Sequence, residues 1–365
     1  MPASLQQAFY LASSWLWCIG AFLPVLLLRD YGWITLTAFT LANVIGAAAF
    51  GWVMTRNRQP TFLARHRRML QVFSHVTIAF QLFFVVWLSA LVGWWLLPVM
   101  LMLVGLFYRA DSVIGWVAVG LFILSMAFFG GYLIAEPPMA TITAQPGWWH
   151  TLLPLVLGFG LSPYLDLTFH RALERSPNPR LSFTLGFGVF FLTLLVFVFV
   201  YSGGLQAMAA GKGSLDVSLL WPVIAFIVMQ TAFTVAVHLK EAQRHQPKPW
   251  RSRLVAYGAY LVGLSVLLGL GTTARVPWLD LPMTELLYKG FLLFYGLVFP
   301  LYLLLGKRPA YFWGALLVAV VPYSVGFLVG GDALVALSVS MVFVAGFVVV
   351  RFVRGGDRIT AQSTK

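Results

Sequence analysis

Apolar stretches of about 20 residues recur from one end of the chain to the other, separated by short polar segments. A stretch of this length forms an α-helix that crosses the hydrocarbon core of a bilayer, which is about 30 Å thick. The pattern therefore predicts an all-α, polytopic membrane protein of about twelve transmembrane helices, with residues 1–365 forming a single transmembrane domain. The predicted spans are 8–28, 32–54, 70–91, 92–108, 112–135, 152–173, 181–201, 217–239, 254–273, 284–305, 310–330 and 333–350.

Composition and charge agree with this interpretation and exclude a soluble fold. The chain is 60% hydrophobic and only 10% charged, whereas about a quarter of the residues in soluble domains are charged. Of its 24 Lys and Arg residues, 20 fall on one side of the predicted spans, and the other side holds only Arg29, Lys212, Arg275 and Lys289. This asymmetry predicts a multi-pass protein of the cell (inner) membrane with both termini in the cytoplasm. Topology and contact with the anionic inner leaflet then explain the net charge of +13, without nucleic-acid binding.

The number and direction of the spans predict an inverted repeat. Many transporters consist of two halves with an odd number of spans each, which gives the second half the opposite orientation. We predict the first repeat at residues 8–135 and the second at 151–306, followed by two appended helices at 309–353 and a cytoplasmic tail at 354–365.

The first span of each predicted half contains residues that interrupt helices. Span 1 has Gly20 and Pro24, and span 6 has Gly158, Gly160 and the pair Ser162-Pro163. Proline removes a backbone donor and glycine adds conformational freedom, so each cluster predicts a break. Backbone groups freed inside a membrane must face protein, water or a ligand, which makes the paired breaks a candidate site. The alternative is that these prolines are ordinary ones, because proline is frequent in transmembrane helices.

Asp166 is the sole acidic residue of the predicted spans that we cannot assign to a loop or a helix end. An ionised carboxylate inside the membrane costs about 2.5–3.5 kcal/mol on insertion scales, so it needs a specific role. One role is to bind a proton or a coupling cation. The other is to cap the half-helix that follows Ser162-Pro163 by accepting from its backbone N–H groups. The two roles are compatible.

The segment Leu157–Tyr164 reads LGFG, then a small or polar break, then an aromatic residue. It resembles the unwound sixth helix of LeuT-type neurotransmitter:sodium symporters, within the amino acid, polyamine and organocation transporter superfamily. The count of 5+5+2 helices, the cytoplasmic termini and the basic loop after span 2 are similar to that fold over nearly the whole chain. The resemblance implies a LeuT-like 5+5 inverted repeat plus two helices.

The same resemblance implies a central substrate site. Its expected lining residues are Gly20, Pro24, Gly158, Phe159, Gly160, Ser162 and Tyr164. It also implies that span 8 faces the first break through Thr231 and Thr234, whose hydroxyls would ligate a sodium ion. The alternative for these two residues is that each hydroxyl bonds back to its own helix.

Three histidines point to a different class of function. His75, His170 and His238 lie near the same ends of spans 3, 6 and 8. Neutral imidazoles together with a carboxylate suit a transition metal or a proton relay, as in a membrane-embedded metal or haem enzyme. The competing explanation is that these histidines are interfacial or cap helices.

The sequence contains no Walker A loop, so an ATP-driven pump is not indicated. We therefore predict a secondary active transporter, not an enzyme, that moves a small solute and is coupled to a sodium or proton gradient. No cofactor or resident metal is predicted beyond that coupling ion. A non-transporting sensor or assembly protein is the remaining alternative, and the oligomeric state is left open.

Overall fold

The computed structural model describes most of the chain. The described residues are 1–16, 18–137, 140, 142, 152–209, 217–245, 250–270, 275–276, 281–306, 309–329, 337–342, 344 and 346–347. Most of the predicted loop at 136–151, much of the last predicted span and the predicted tail at 354–365 lie outside the described residues.

The described chain is almost entirely helical. Its α-helices are α1 (Ala3–Trp15), α2 (Cys18–Tyr31), α3 (Trp33–Val53), α4 (Gln59–Val92), α5 (Leu96–Arg109), α6 (Ile114–Ile134), α7 (Leu152–Leu161), α8 (Leu167–Arg175), α9 (Pro179–Leu185), α10 (Leu192–Ala209), α11 (Val217–His245), α12 (Trp250–Leu270), α13 (Met283–Leu293), α14 (Phe299–Leu305) and α15 (Pro309–Val329). Two 3₁₀ turns, Ala110–Val113 and Ser162–Leu165, and two π-helical segments, Gly186–Phe191 and Phe294–Val298, connect consecutive helices. Two short strands, β1 (Arg275–Val276) and β2 (Leu281–Pro282), pair in antiparallel fashion.

Eight helical stretches of the described chain are long and apolar enough to cross a membrane, or nine if the bent pair α1 and α2 counts as one span. Their outer surfaces are apolar. In α3, for example, Ile34, Ile45 and Trp52 are exposed while Phe39 and Phe50 are buried. Large exposed apolar side chains along a whole helix suit hydrocarbon better than water. The described helices are therefore consistent with a polytopic membrane protein, as the sequence predicts.

The stretch Leu96–Ile134 counts once among these eight, but its first part runs alongside α11 in the same direction. Trp95, just before α5, packs its ring against that of Trp221 near the start of α11. Tyr108, near the end of α5, donates a hydrogen bond to Gln243 near the end of α11. The two helices are therefore parallel.

The second part of that stretch, α6, returns along α11 after the 3₁₀ turn. Asp111 in the turn pairs with Arg244 in the last turn of α11. Ser125, further along α6, accepts a hydrogen bond from Gln230, which lies about four turns before Arg244 in α11. The stretch thus reverses direction at the 3₁₀ turn.

One end of the bundle gathers segments that were predicted to lie on one side of the membrane. Arg56, before α4, donates to the backbone carbonyls of Leu173 and Ser176 at the end of α8. Arg67, in the first turns of α4, donates to the carbonyl of His245 at the end of α11. We call this the basic end; it comprises residues 54–69, 109–113, 171–180 and 240–245.

Span 1 is interrupted, but earlier in the chain than predicted. α1 ends at Trp15, Leu16 leaves helical geometry (φ −77°, ψ 77°), and the two helices of the span are bent by 55°. Gly20 and Pro24, the predicted break, lie inside α2. Pro24 is accommodated there because Gly20, four residues earlier, lets the backbone adjust to the proline ring. The observed break is held by the Trp15 indole N–H, which donates to Oδ1 of Asn43 in α3 over 2.8 Å.

Candidate functional site

Span 6 breaks where the sequence predicts. α7 ends at Leu161, the segment Ser162–Leu165 forms a 3₁₀ turn, and Asp166 has extended backbone (φ −86°, ψ 115°). The Asp166 carboxylate then accepts a hydrogen bond from the Thr168 backbone N–H over 2.7 Å and caps the N-terminus of α8. Asp166 therefore has the capping role, which satisfies one of the free N–H groups at the start of the helix.

The two breaks lie next to each other. The Thr168 hydroxyl at the start of α8 donates to the Ser14 hydroxyl near the end of α1, over 3.3 Å. The rings of Trp15 and Phe169 pack with their centroids 4.8 Å apart. α11 joins them, because the Thr234 hydroxyl donates to the backbone carbonyl of Ser13 over 3.3 Å. The Thr234 hydroxyl thus faces the end of α1 instead of bonding to its own helix.

A fully buried polar cluster surrounds the junction of the breaks. We call it the Asp166 cluster; its members are Ser13, Ser14, Ser74, Asp166, Thr168, Thr234 and His238, each 0% exposed. They come from spans 1, 3, 6 and 8. So many buried polar groups are costly in a membrane unless they bond to one another or serve a ligand.

Asp166 and His238 face each other within this cluster. The Asp166 Oδ2 atom is 3.7 Å from the His238 Nε2 atom, which is beyond hydrogen-bond length. The other ring nitrogen of His238, Nδ1, lies 3.4 Å from the Ser74 hydroxyl on α4. Oδ1 of Asp166 is used in the cap, whereas Oδ2 has no hydrogen-bond partner among the described residues. One carboxylate oxygen therefore points at an imidazole without a bond between them.

The glycines of span 6 bring helices close together. A Cβ atom on Gly158 would lie 2.7 Å from the carbonyl oxygen of Tyr295 in span 10, and a Cβ on Gly46 of α3 would lie 2.6 Å from the Gly160 Cα. Phe159, between the glycines, is buried edge-on against Phe39 at 4.8 Å. These three predicted site residues thus pack α7 against α3 and span 10.

The remaining predicted residues differ in their surroundings. The Ser162 hydroxyl is buried and has no hydrogen-bond partner among the described residues. Tyr164 is half-buried against Phe50, and Pro24 lines a cavity of about 250 Å³ between spans 1, 2 and 7. Thr231 is buried in α11. Asp166 and Thr234 are therefore the predicted residues whose contacts join them to the cluster.

The three histidines do not assemble into one site. His75 hydrogen-bonds to Tyr257 of α12, and the His170 ring lies 3.1 Å from the Tyr164 carbonyl oxygen. Only His238 approaches Asp166, so His170, which is four residues from Asp166 in sequence, is not its side-chain partner. Among the described residues, no three His, Cys, Asp or Glu side chains are placed to hold a metal ion. The three histidines, which the sequence offered as an alternative metal site, therefore do not form one among the described residues, because each ring lies against a different neighbour.

A network of four charged residues lies at the basic end, next to the cluster. Arg171 of α8 donates to Asp111 over 2.7 Å and to Glu241 of α11 over 3.0 Å, and Arg244 pairs with both acids. The Arg171 guanidinium also lies over the Tyr10 ring of α1 at 5.2 Å. Burial raises the pKa of the Asp111 carboxyl, but the nearby Arg171 and Arg244 outweigh burial and hold that pKa below its ordinary value of 3.8. The network ties α1, α8 and α11 together.

Sequence reasoning missed several of these residues. Ser13, Ser14 and Ser74 carried no motif, and His238 was considered only together with His75 and His170, for a metal site or a proton relay. The acids Asp111 and Glu241 lay at helix ends, where charges are common. The spacing of His238 and Glu241 gave one usable signal, since residues at i,i+3 share a helix face.

The chain was compared with family models, with curated proteins and with solved structures, and it matches none of them.

Proposed function

We propose that the protein is a secondary active transporter that moves a small solute across the membrane, coupled to a proton or sodium gradient. The observation that carries this proposal is the meeting of two interrupted helices at a fully buried carboxylate, Asp166. Helix ends at membrane depth present free backbone dipoles, which discontinuous transporter helices use to bind substrate and ion. Here the carbonyl end of α1 faces the N–H end of α8. The carbonyl end favours a cationic group and the N–H end favours an anionic group.

Helix packing supports the LeuT-like 5+5 repeat as part of the proposal. If spans 1–5 and 6–10 are equivalent, each packing pair has a counterpart after exchange of the halves. α1 of span 1 packs on α6 of span 5, and α7 of span 6 packs on α14 of span 10. α3 of span 2 packs on α7 of span 6, and α9 of span 7 packs on α1 of span 1. α5 of span 4 packs on α11 of span 8, and α12 of span 9 packs on α4 of span 3.

The proposed topology has twelve spans and a cytoplasmic basic end. Spans 1 and 6 each consist of two half-helices, and Leu96–Ile134 supplies two spans because it turns back on itself. α15 and the described helical residues from 337 to 347 form the appended pair. The positive-inside rule assigns the basic end to the cytoplasm.

In the proposed mechanism, α1 and α8 rock against α4 and α11 about the breaks. The basic end is closed in this structure, because Arg171 and Arg244 join the half-helix α8 to α11 and to the turn after α5. A cation bound at Asp166 removes the cost of its buried charge and permits the switch between faces. The unpaired Ser162 hydroxyl, together with the ends of α1 and α7, contacts the solute.

Site-directed labelling tests alternating access without knowledge of the substrate. Cys18 is the only cysteine, so a Cys18→Ser background permits a single new thiol at Ser162. We expect a membrane-impermeant maleimide to label Ser162→Cys from both sides, in right-side-out and in inverted vesicles. Asn57→Cys, exposed at the basic end, is the control and reacts only in inverted vesicles. Labelling of Ser162→Cys from one side only, or from neither, would refute alternating access.

A transport assay identifies the solute class. Proteoliposomes are offered labelled amino acids, nucleobases and organic cations, each under an imposed proton or sodium gradient. Wild-type protein is expected to accumulate at least one solute, and Asp166→Asn is expected to abolish the accumulation while eluting normally from a sizing column. Unchanged uptake by Asp166→Asn would remove this carboxylate from coupling.

A further inference from the structure

We infer that the coupling cation is a proton and that it binds between Oδ2 of Asp166 and Nε2 of His238. This inference rests on the proposed function, because it names the ion of the same site. The two atoms face each other at 3.7 Å inside a shell of groups that are 0% exposed. A shortening of roughly 0.5 Å or more gives a hydrogen bond. A proton supplies the missing donor hydrogen, since a protonated carboxyl donates to a neutral imidazole nitrogen.

The orientation of His238 fits this role. Its Nδ1 atom lies 3.4 Å from the Ser74 hydroxyl, which also belongs to a fully buried residue. When Nδ1–H donates to that hydroxyl, Nε2 carries the lone pair and faces Asp166. Ser74 thus positions the ring, and the carboxyl proton has an acceptor on a different helix.

Sodium fits the same place poorly. Hard cations are bound by several oxygen atoms, whereas the atom that faces Asp166 Oδ2 is a nitrogen. Two of the nearby hydroxyls already donate within the protein: Thr234 donates to the Ser13 carbonyl and Ser14 donates to the Leu11 carbonyl. The Ser13 carbonyl and the Ser14 hydroxyl oxygen also accept hydrogen bonds. A sodium ion would therefore compete with these hydrogen bonds for the same oxygen atoms.

The other titratable groups around Asp166 come from three of the helices at the junction. They are His238 and Glu241 of α11, Tyr10 of α1, and His170 and Arg171 of α8. Arg171 is paired with Glu241 and Asp111, so its charge is balanced without Asp166. The proton on Asp166 is therefore shared with His238 and with no permanent cation.

The same helix offers a route to the basic end. Glu241 follows His238 by three residues and lies on the same face of α11. It pairs with Arg244, whose side chain is one-third exposed. In one transport cycle a proton enters from the opposite side, binds the Asp166 carboxylate, passes through His238 and Glu241, and leaves as a solvated proton at the basic end. Only O–H and N–H bonds form and break.

Infrared titration tests the inference without any solute. Purified full-length protein in liposomes is taken through a pH series in sodium-free potassium buffer, and the carboxylic C=O band is followed. We expect a titrating band that Asp166→Asn removes. His238→Gln should lower its midpoint by about one pH unit or more, a tenfold change in proton affinity, because the Gln amide oxygen is a weaker acceptor for the carboxyl proton than an imidazole nitrogen. His75→Gln, which changes a histidine bonded to Tyr257, is the matched control and leaves the midpoint unchanged.

Ser74→Ala is a second and smaller change. It keeps His238 but removes the hydroxyl that positions the His238 ring. It should lower the midpoint by less than His238→Gln, so the inference stays testable if the histidine variant does not fold. A midpoint that His238→Gln leaves unchanged or raises would overturn the shared proton, and so would a midpoint that falls as sodium is added. The infrared band could behave as expected while Ser162→Cys is labelled from one side of the membrane only. That result would support the proton site and contradict the proposed transport function.

Discussion

Replacing Arg171 tests whether the network at the basic end stabilises the fold. The Arg171 side chain is 2% exposed and donates to Glu241, which is 3% exposed, and to the more exposed Asp111. Removing one partner of a buried ion pair costs about 3–5 kcal/mol, because the other charge is left buried. Arg244 still neutralises both acids, so we expect Arg171→Gln to lower the free energy of unfolding by about 3 kcal/mol, at the low end of that range.

Arg175→Gln is the matched control, since Arg175 lies one turn further along α8 and is exposed. Its effect should stay within about 0.5 kcal/mol. The assay is reversible unfolding by dodecyl sulfate in mixed micelles, followed by circular dichroism. The double variant Arg171→Gln with Glu241→Gln should lose about 1–3 kcal/mol less than the sum of the single variants, because neither charge is then left alone. Equal effects for Arg171→Gln and Arg175→Gln, or strictly additive effects in the cycle, would refute the reasoning.

Three further predictions concern stability in detergent. The depressed pKa of Asp111 contributes stability above its unfolded value, and this contribution is lost as the pH falls below about 4; Asp111→Asn should therefore flatten the acid limb of a melting-temperature profile, and an unchanged limb would contradict this. Gly46→Ala places a methyl group 2.6 Å from the Gly160 Cα and should cost about 1–3 kcal/mol, whereas Gly263→Ala meets nothing within 4 Å and should be neutral or stabilising; equal melting temperatures would argue against close packing of α3 on α7. Asn43→Leu leaves the Trp15 indole N–H without its acceptor and should cost about 1–3 kcal/mol in thermal unfolding, and no loss would show that this bond does not hold the first break.

Features that depend on nearby residues could be predicted from the sequence. The helical, membrane-like character follows from hydropathy, and the helices found at residues 33–53 and 114–134 lie within predicted spans. The break after Leu161 and the capping role of Asp166 follow from proline chemistry and from the order of residues along one segment. Such features depend on residues within one segment and need no contact with another helix.

Features that depend on a partner from another helix could not be predicted. The first break occurs at Leu16 instead of Gly20–Pro24, and it is held by a bond from Trp15 to Asn43 on the next span. The approach of His238 to Asp166 is a contact between spans 8 and 6, and nothing in either segment alone indicates it.

The position of α11 has a consequence for biosynthesis. This helix belongs to the second half of the chain, yet it runs between α5 and α6 of the first half and accepts or donates the bonds of Tyr108, Ser125 and Arg171. During synthesis, α1 to α10 enter the membrane before α11 does. Until then, α5 and α6 lack the helix that packs between them in the folded protein. We expect that two fragments divided between α6 and α7 would each lack part of this interior and would become compact only when produced together.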